Sequence, residues 1–118
     1  MHVLALVRDL FFRARLEAAA RAASADLSYA ASLDRACEQV AKTAPSLVIV
    51  DLGDGAFDVR AVTGLIREQA AAARIVGFGP HAEIGKLDAA RAAGFDDVLS
   101  REEFTTRLPK LLGGSLRK

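Results

Sequence analysis

Apolar residues along this chain come in two alternating rhythms: short continuous runs, and stripes spaced three or four residues apart. The clearest run is Leu47-Val48-Ile49-Val50, which follows Pro45-Ser46 and ends in Asp51. Consecutive apolar residues rich in β-branching predict a strand buried on both faces, as in a parallel sheet. His2 to Val7 predicts a first strand of this kind, and Arg74 to Gly79 and Asp97 to Ser100 predict a fourth and a fifth. Asp26 to Ala30 instead alternates polar and apolar, the pattern of an edge strand.

The stripes fall between these runs. Asp9 is set to cap a helix from Leu10 to Ala23 whose stripe is Phe12, Leu16, Ala19 and Ala20. Ser32 begins a second through Thr43, with Leu33, Ala36, Cys37 and Val40 inward and Pro45 stopping it. A third from Asp58 to Ala73 carries Val59, Val62, Leu65 and Ile66, and Gly64 weakens it. A fourth runs from the Pro80-His81 loop to Ala93, with Gly94 as its C-terminal cap. A fifth spans Glu102 to Leu112, frayed by Pro109, and Gly113 to Lys118 reads as a flexible tail.

Five strands alternating with five helices predict an α/β fold, a (βα)5 three-layer sandwich forming one domain over residues 1–112. Right-handed crossovers favour the flavodoxin-like strand order 2-1-3-4-5, with its switch point between the first and third strands. Open α/β sheets place their sites at the carboxyl edge there, which makes Asp51 the residue to explain. Arg8, Asp9, Gly53, Gly79, His81 and Arg101 are expected around it.

Composition then removes whole classes of function. With 118 residues, 52% hydrophobic and 26% charged, the chain has an ordinary globular balance. A net charge of +1 gives no reason to expect a nucleic-acid or acidic-membrane partner. Arg8 and Asp9 interrupt the first apolar run, so neither a signal peptide nor a membrane span is expected, and the reading is a soluble, cytoplasmic protein. The single Cys37 excludes an internal disulfide; its place on a helical stripe predicts a buried structural thiol. Neither Gly53-Asp54-Gly55 nor Gly77-Phe78-Gly79 has the spacing of a phosphate-binding fingerprint. His2 and His81 fall at opposite ends of the sheet and share no metal site. A pH or ligand role for His81 stands against the plainer reading, a solvated loop residue. Asp96 and Asp97 are expected to be solvated. No nucleophile–base set is recognisable, so catalysis is not expected.

Two longer segments carry a family resemblance. Pro45 to Leu52 is similar to the segment "P-D-L-V-L-L-D-L", and Ala93-Gly94-Phe95-Asp96-Asp97-Val98-Leu99-Ser100 to "A-G-A-D-D-Y-L-T". Arg13 in the first helix and Ala36 in the second add to the match. In these segments, and in spacing from Leu6 to Asp51, the chain resembles the receiver domain of two-component response regulators. That resemblance implies that Asp51 stands at the phosphoacceptor position. It also implies a Mg²⁺ held by an acidic pair after the first strand, a hydroxyl after the fourth and a lysine after the fifth. Phosphoryl transfer asks such residues for positioning and charge neutralisation.

The helpers differ here. Val7 and Arg8 occupy the acidic-pair positions, Gly79 the hydroxyl position, Arg101 the lysine position, and Glu102 that of the following proline. Asp54-Gly55 stands where receivers have Met-Pro. Arg8 is expected to compete with a divalent cation, and Asp51 to pair with Arg8 or with Arg101. Three functions follow as expectations. The favoured one is a degenerate receiver, a phosphorylation-independent protein-interaction module of signalling, with no cofactor. A second is a working receiver phosphorylated on Asp51, with Mg²⁺ on Asp9, Asp51 and Asp54. A third is a small-ligand site around Arg8, Asp51 and His81. The resemblance implies a kinase, an output protein or a second copy as partner. The fourth helix, fifth strand and fifth helix would form the interface, with Arg91, Arg107 and Phe104 as contacts; Phe104, if exposed, is its anchor, and otherwise a core residue of the last helix.

Overall fold

In a computed structural model, which describes residues 1–113, five strands and five helices alternate along the chain. They are β1 (His2–Leu6), α1 (Leu10–Ala23), β2 (Asp26–Tyr29), α2 (Leu33–Thr43), β3 (Leu47–Asp51) and α3 (Val59–Gln69). The chain continues through β4 (Arg74–Gly79), α4 (Ile84–Ala93), β5 (Asp97–Ser100) and α5 (Arg101–Leu112). All neighbouring strands are parallel, in the order β2-β1-β3-β4-β5. This is the flavodoxin-like arrangement that the sequence pattern predicts. The expected tail lies, apart from Gly113, outside the described residues. No described helix is long and apolar enough to cross a membrane.

The apolar runs are continuous because each strand feeds two cores. Strand side chains alternate between faces, so Leu4, Leu6, Val48, Val50 and Ile75 pack with Ala36, Val40, Val62, Ile66, Leu87 and Ala90 of α2, α3 and α4. Val3, Ala5, Ile49, Val76 and Phe78 pack on the other face with Phe12, Leu16, Phe104 and Leu108 of α1 and α5. The second core is the aromatic one. Phe78 and Phe104 stack at 4.1 Å, and Phe12 leans on Phe78 at 4.9 Å.

Caps fix the helix ends. Asp9 accepts from Phe11 and Phe12 at the start of α1, Ser32 from Arg35, and Asp58 from Ala61. Ser100 and Glu103 form a capping box that opens α5. Gly94 ends α4 at φ 102°, a left-handed conformation that suits glycine.

Several local expectations are corrected. Helix α3 stops at Gln69 rather than at Ala73, through a turn that delivers the chain to β4. Pro109 does not fray α5, which runs on to Leu112 because Leu108, Leu111 and Leu112 are buried beyond it. Cys37 is half-buried and accepts from Gln69 rather than sinking into the core. Asp96 is not merely solvated. It accepts from the buried Ile75 amide at 2.7 Å and from Arg67 at 3.0 Å, while Asp97 pairs with Arg74.

Candidate functional site

The strand order reverses between β1 and β3, so the loops after these strands diverge to opposite faces and leave a crevice. Asp51 is the last residue of β3, in register with Phe78 of β4. It is 5% exposed and the only buried charged residue among those described. Its Oδ1 accepts from the Gly53 amide at 2.9 Å. Among the described residues this carboxylate has no other hydrogen bond and no ion pair.

Arg101, the first residue of α5, reaches toward this carboxylate. A Cβ placed on Gly53 would lie 3.3 Å from both Arg101 Nη2 and Asp51 Oδ1, so the two groups converge over that glycine. The guanidinium also lies 5.6 Å from the centre of the Phe12 ring, on the aromatic core. Burial pushes the Asp51 carboxyl above its ordinary value. The Gly53 amide and Arg101 pull it down without cancelling that effect, and Asp54 and Asp9 push it further up.

Arg8 goes elsewhere. Its Nε donates to Asp54 Oδ2 at 2.6 Å and its Nη2 to Asp54 Oδ1 at 2.8 Å, a two-pronged fork. The expected pairing with Asp51 is therefore corrected: a guanidinium leaving β1 meets first the acid of the β3–α3 loop. Asp54 Oδ1 also accepts from Ala56, and Arg8 holds the Asp54 carboxyl below its ordinary value. Asp9 spends its Oδ1 on two amides of α1.

The trio Asp9, Asp51 and Asp54 is thus not assembled around a common point. Among the described residues no group of three or more His, Cys, Asp or Glu could hold a metal ion. One carboxylate caps a helix, one is gripped by a cation, and the third faces a second cation. A divalent ion does not fit this arrangement.

Gly79 is flanked by apolar side chains. A Cβ there would sit 3.2 Å from Leu52 Cβ and 3.3 Å from Leu87 Cδ2, so these leucines crowd the space where a side chain would begin. Behind it, a Cβ on Gly77 would lie 2.9 Å from Leu52 Cδ1 and from Phe95, too close to be accommodated without movement. His81 is exposed and lines a cavity of about 430 Å³ with Ile84, Leu87, Arg91, Ser100 and Glu102, along α4 and the start of α5. Arg91 pairs with Asp88 on the α4 surface, and Arg107 is exposed on α5. Phe104 is fully buried against Phe78, which removes it as an interface anchor.

Comparison with known proteins gives the fold its name. The chain is similar to the receiver domain of a sensor histidine kinase from Pseudomonas aeruginosa, solved with a magnesium ion in its active-site cleft, at TM-score 0.78 and 18% identity, over 94% of this chain and 93% of that one. The fold is that of a response-regulator receiver domain. The receiver domain of NtrX from Brucella abortus superposes at TM-score 0.77 with 19% identity, covering 94% and 93% of the two chains. An orphan response regulator from Helicobacter pylori gives 0.75 with 15% identity over 95% and 96%. No family model and no curated protein matches the sequence.

Two features of this receiver fold escaped sequence reasoning. The Arg8–Asp54 fork carried a readable signal, since opposite charges stand in the two loops that flank the switch point. The packing of Leu52 and Leu87 against Gly79 carried none, because the pairing depends on how α4 rests on β4.

Proposed function

We propose that this chain is a receiver-type module of signal transduction that acts without phosphorylation, through a protein partner. The observation that carries the reading is the Arg8–Asp54 fork, which sets an ion pair at the edge of the site. Leucine packing around Gly79 supports it, because a receiver without a hydroxyl at that position has no side chain there to follow a phosphoryl group. On this reading the module needs no cofactor, catalyses no reaction and works in the cytoplasm. Its partner is a kinase, an output protein or a second copy, met through α4, β5 and α5. With Phe104 buried, that face offers Arg91, Arg107 and Ile84, which is 65% exposed.

A second reading is favoured by one observation. Asp51 is a buried carboxylate with a single hydrogen bond, beside Arg101, a cation able to meet a phosphoryl oxygen. Intact mass after incubation with acetyl phosphate and Mg²⁺, with Asp51→Asn as control, separates the two. The module reading expects no adduct under conditions that label an ordinary receiver. An adduct that the control loses would replace it with phosphorylation on Asp51.

A further inference from the structure

The carboxyl edge already holds a cation of its own. Arg8 leaves β1 two residues beyond its end and grips both oxygens of Asp54 at 2.6 and 2.8 Å, across the crevice where the strand order reverses. We infer that Arg8 is the resident cation of this site, a tethered guanidinium that stands in place of a divalent ion and ties the β1–α1 loop to the β3–α3 loop. The inference rests on the receiver reading and deepens it, by naming what holds the site in one state.

Three physical points support it. First, the acid is committed. Asp54 offers Oδ1 and Oδ2 to Arg8, adds the Ala56 amide to Oδ1, and is itself mostly shielded, with its side chain 14% exposed. A metal would have to displace both prongs of a charge-assisted fork. Second, the competitor is covalently attached, so its local concentration does not depend on what the solution contains. Third, a guanidinium stays protonated at every physiological pH, and a divalent ion beside it would meet like-charge repulsion. Asp9 is held at the start of α1, where its Oδ1 caps the helix through two amides. A cation carried by the chain itself is supplied whatever the solution holds, and its fork on Asp54 links the two loops.

The test uses the full chain, isotope-labelled, titrated with Mg²⁺ alone at constant ionic strength while backbone amide resonances are followed. The wild type is expected to show no saturable shift at Gly53, Asp54 or Ala56. Arg8→Ala and Arg8→Gln are expected to gain one, and adding Asp54→Asn to either is expected to weaken it at least about tenfold. Arg8→Gln keeps the length of the side chain and serves if the alanine variant folds poorly. Saturable Mg²⁺ shifts in the wild type as tight as in the variants would overturn the inference. So would folded Arg8 variants that stay blind to Mg²⁺. No phosphoryl donor is present, so blind variants of a protein that acetyl phosphate leaves unlabelled would sink this inference and leave the module reading standing.

Discussion

At the amino edge of the sheet, Asp96 accepts from the Ile75 amide and from Arg67, which also donates to the Ala73 and Gly94 carbonyls. At the carboxyl edge, Asp51 is far more buried, yet its carboxylate accepts from the Gly53 amide alone among the described residues. Their acidities diverge accordingly. Burial pushes Asp96 up, but the Ile75 amide, Arg67 and Arg74 outweigh it and hold the carboxyl below its ordinary value. At Asp51 burial wins, and the carboxyl sits above its ordinary value. One edge uses its acid to fasten β4, β5 and α3 together. The other keeps an acid that its surroundings penalise.

The contrast depends on the aromatic stack beneath the carboxyl edge, and breaking the stack is the severest test. Phe104→Ala empties a fully buried ring site against Phe78 and is expected to lose about 3–5 kcal/mol of folding free energy, read from urea unfolding. A near-neutral result would return Phe104 to the surface and reopen it as an interface residue. Asp96→Ala comes next. It strips the acceptor from a buried amide and is expected to cost about 1–3 kcal/mol, with Asp96→Asn recovering part of it through its remaining oxygen. If the alanine variant were as stable as the wild type, the amino edge would not be fastened by this carboxylate, and the contrast would fail.

Much of this architecture is legible from the pattern alone, for identifiable reasons. Strands β4 and β5 and helices α1 and α2 carry unambiguous punctuation: Asp9, Ser32, Pro45 and Gly94 sit where backbone groups need a cap or a stop. Helix α3 overran because Ala70 to Ala73 contain no stop signal. Alanine favours helix, and only the demand that the chain reach Arg74 in register with Leu47 ends it. Pro109 misled in the opposite sense, since local propensity says break while burial of Leu111 and Leu112 holds the turn after it. Strand ends bring Asp51 and Gly79 to the carboxyl edge, and the start of α5 brings Arg101 there, but position in the fold does not give the partners. Whether Arg8 meets Asp51 or Asp54 is decided by how two loops lie across the crevice, and no periodicity encodes that. Asp96 looked solvated for the same reason: its chief partner is a backbone amide 21 residues away.

The smallest effect sharpens the comparison most. Replacing Asp51 with asparagine removes the charge that burial penalises and keeps an oxygen for the Gly53 amide, so stability at neutral pH is expected to rise, by up to about 1 kcal/mol. The pH dependence fixes the cause. Because the native carboxyl titrates above its unfolded value, the folded state takes up this proton first as pH falls. Its contribution is fully present below the unfolded value and is lost as pH rises through the raised native one. Asp54 and Asp96 act oppositely: their contribution is present above the unfolded value and lost as pH falls through the lowered native one. The melting temperature of Asp51→Asn minus that of the wild type should therefore be positive at pH 7 and shrink as pH falls toward 4, while the Arg8 and Arg67 pairs weaken both proteins alike at lower pH. A difference that is flat with pH would mean that Asp51 is not charged at a cost, and a negative one at pH 7 would mean that Arg101 more than repays it. Either result would make the two edges alike.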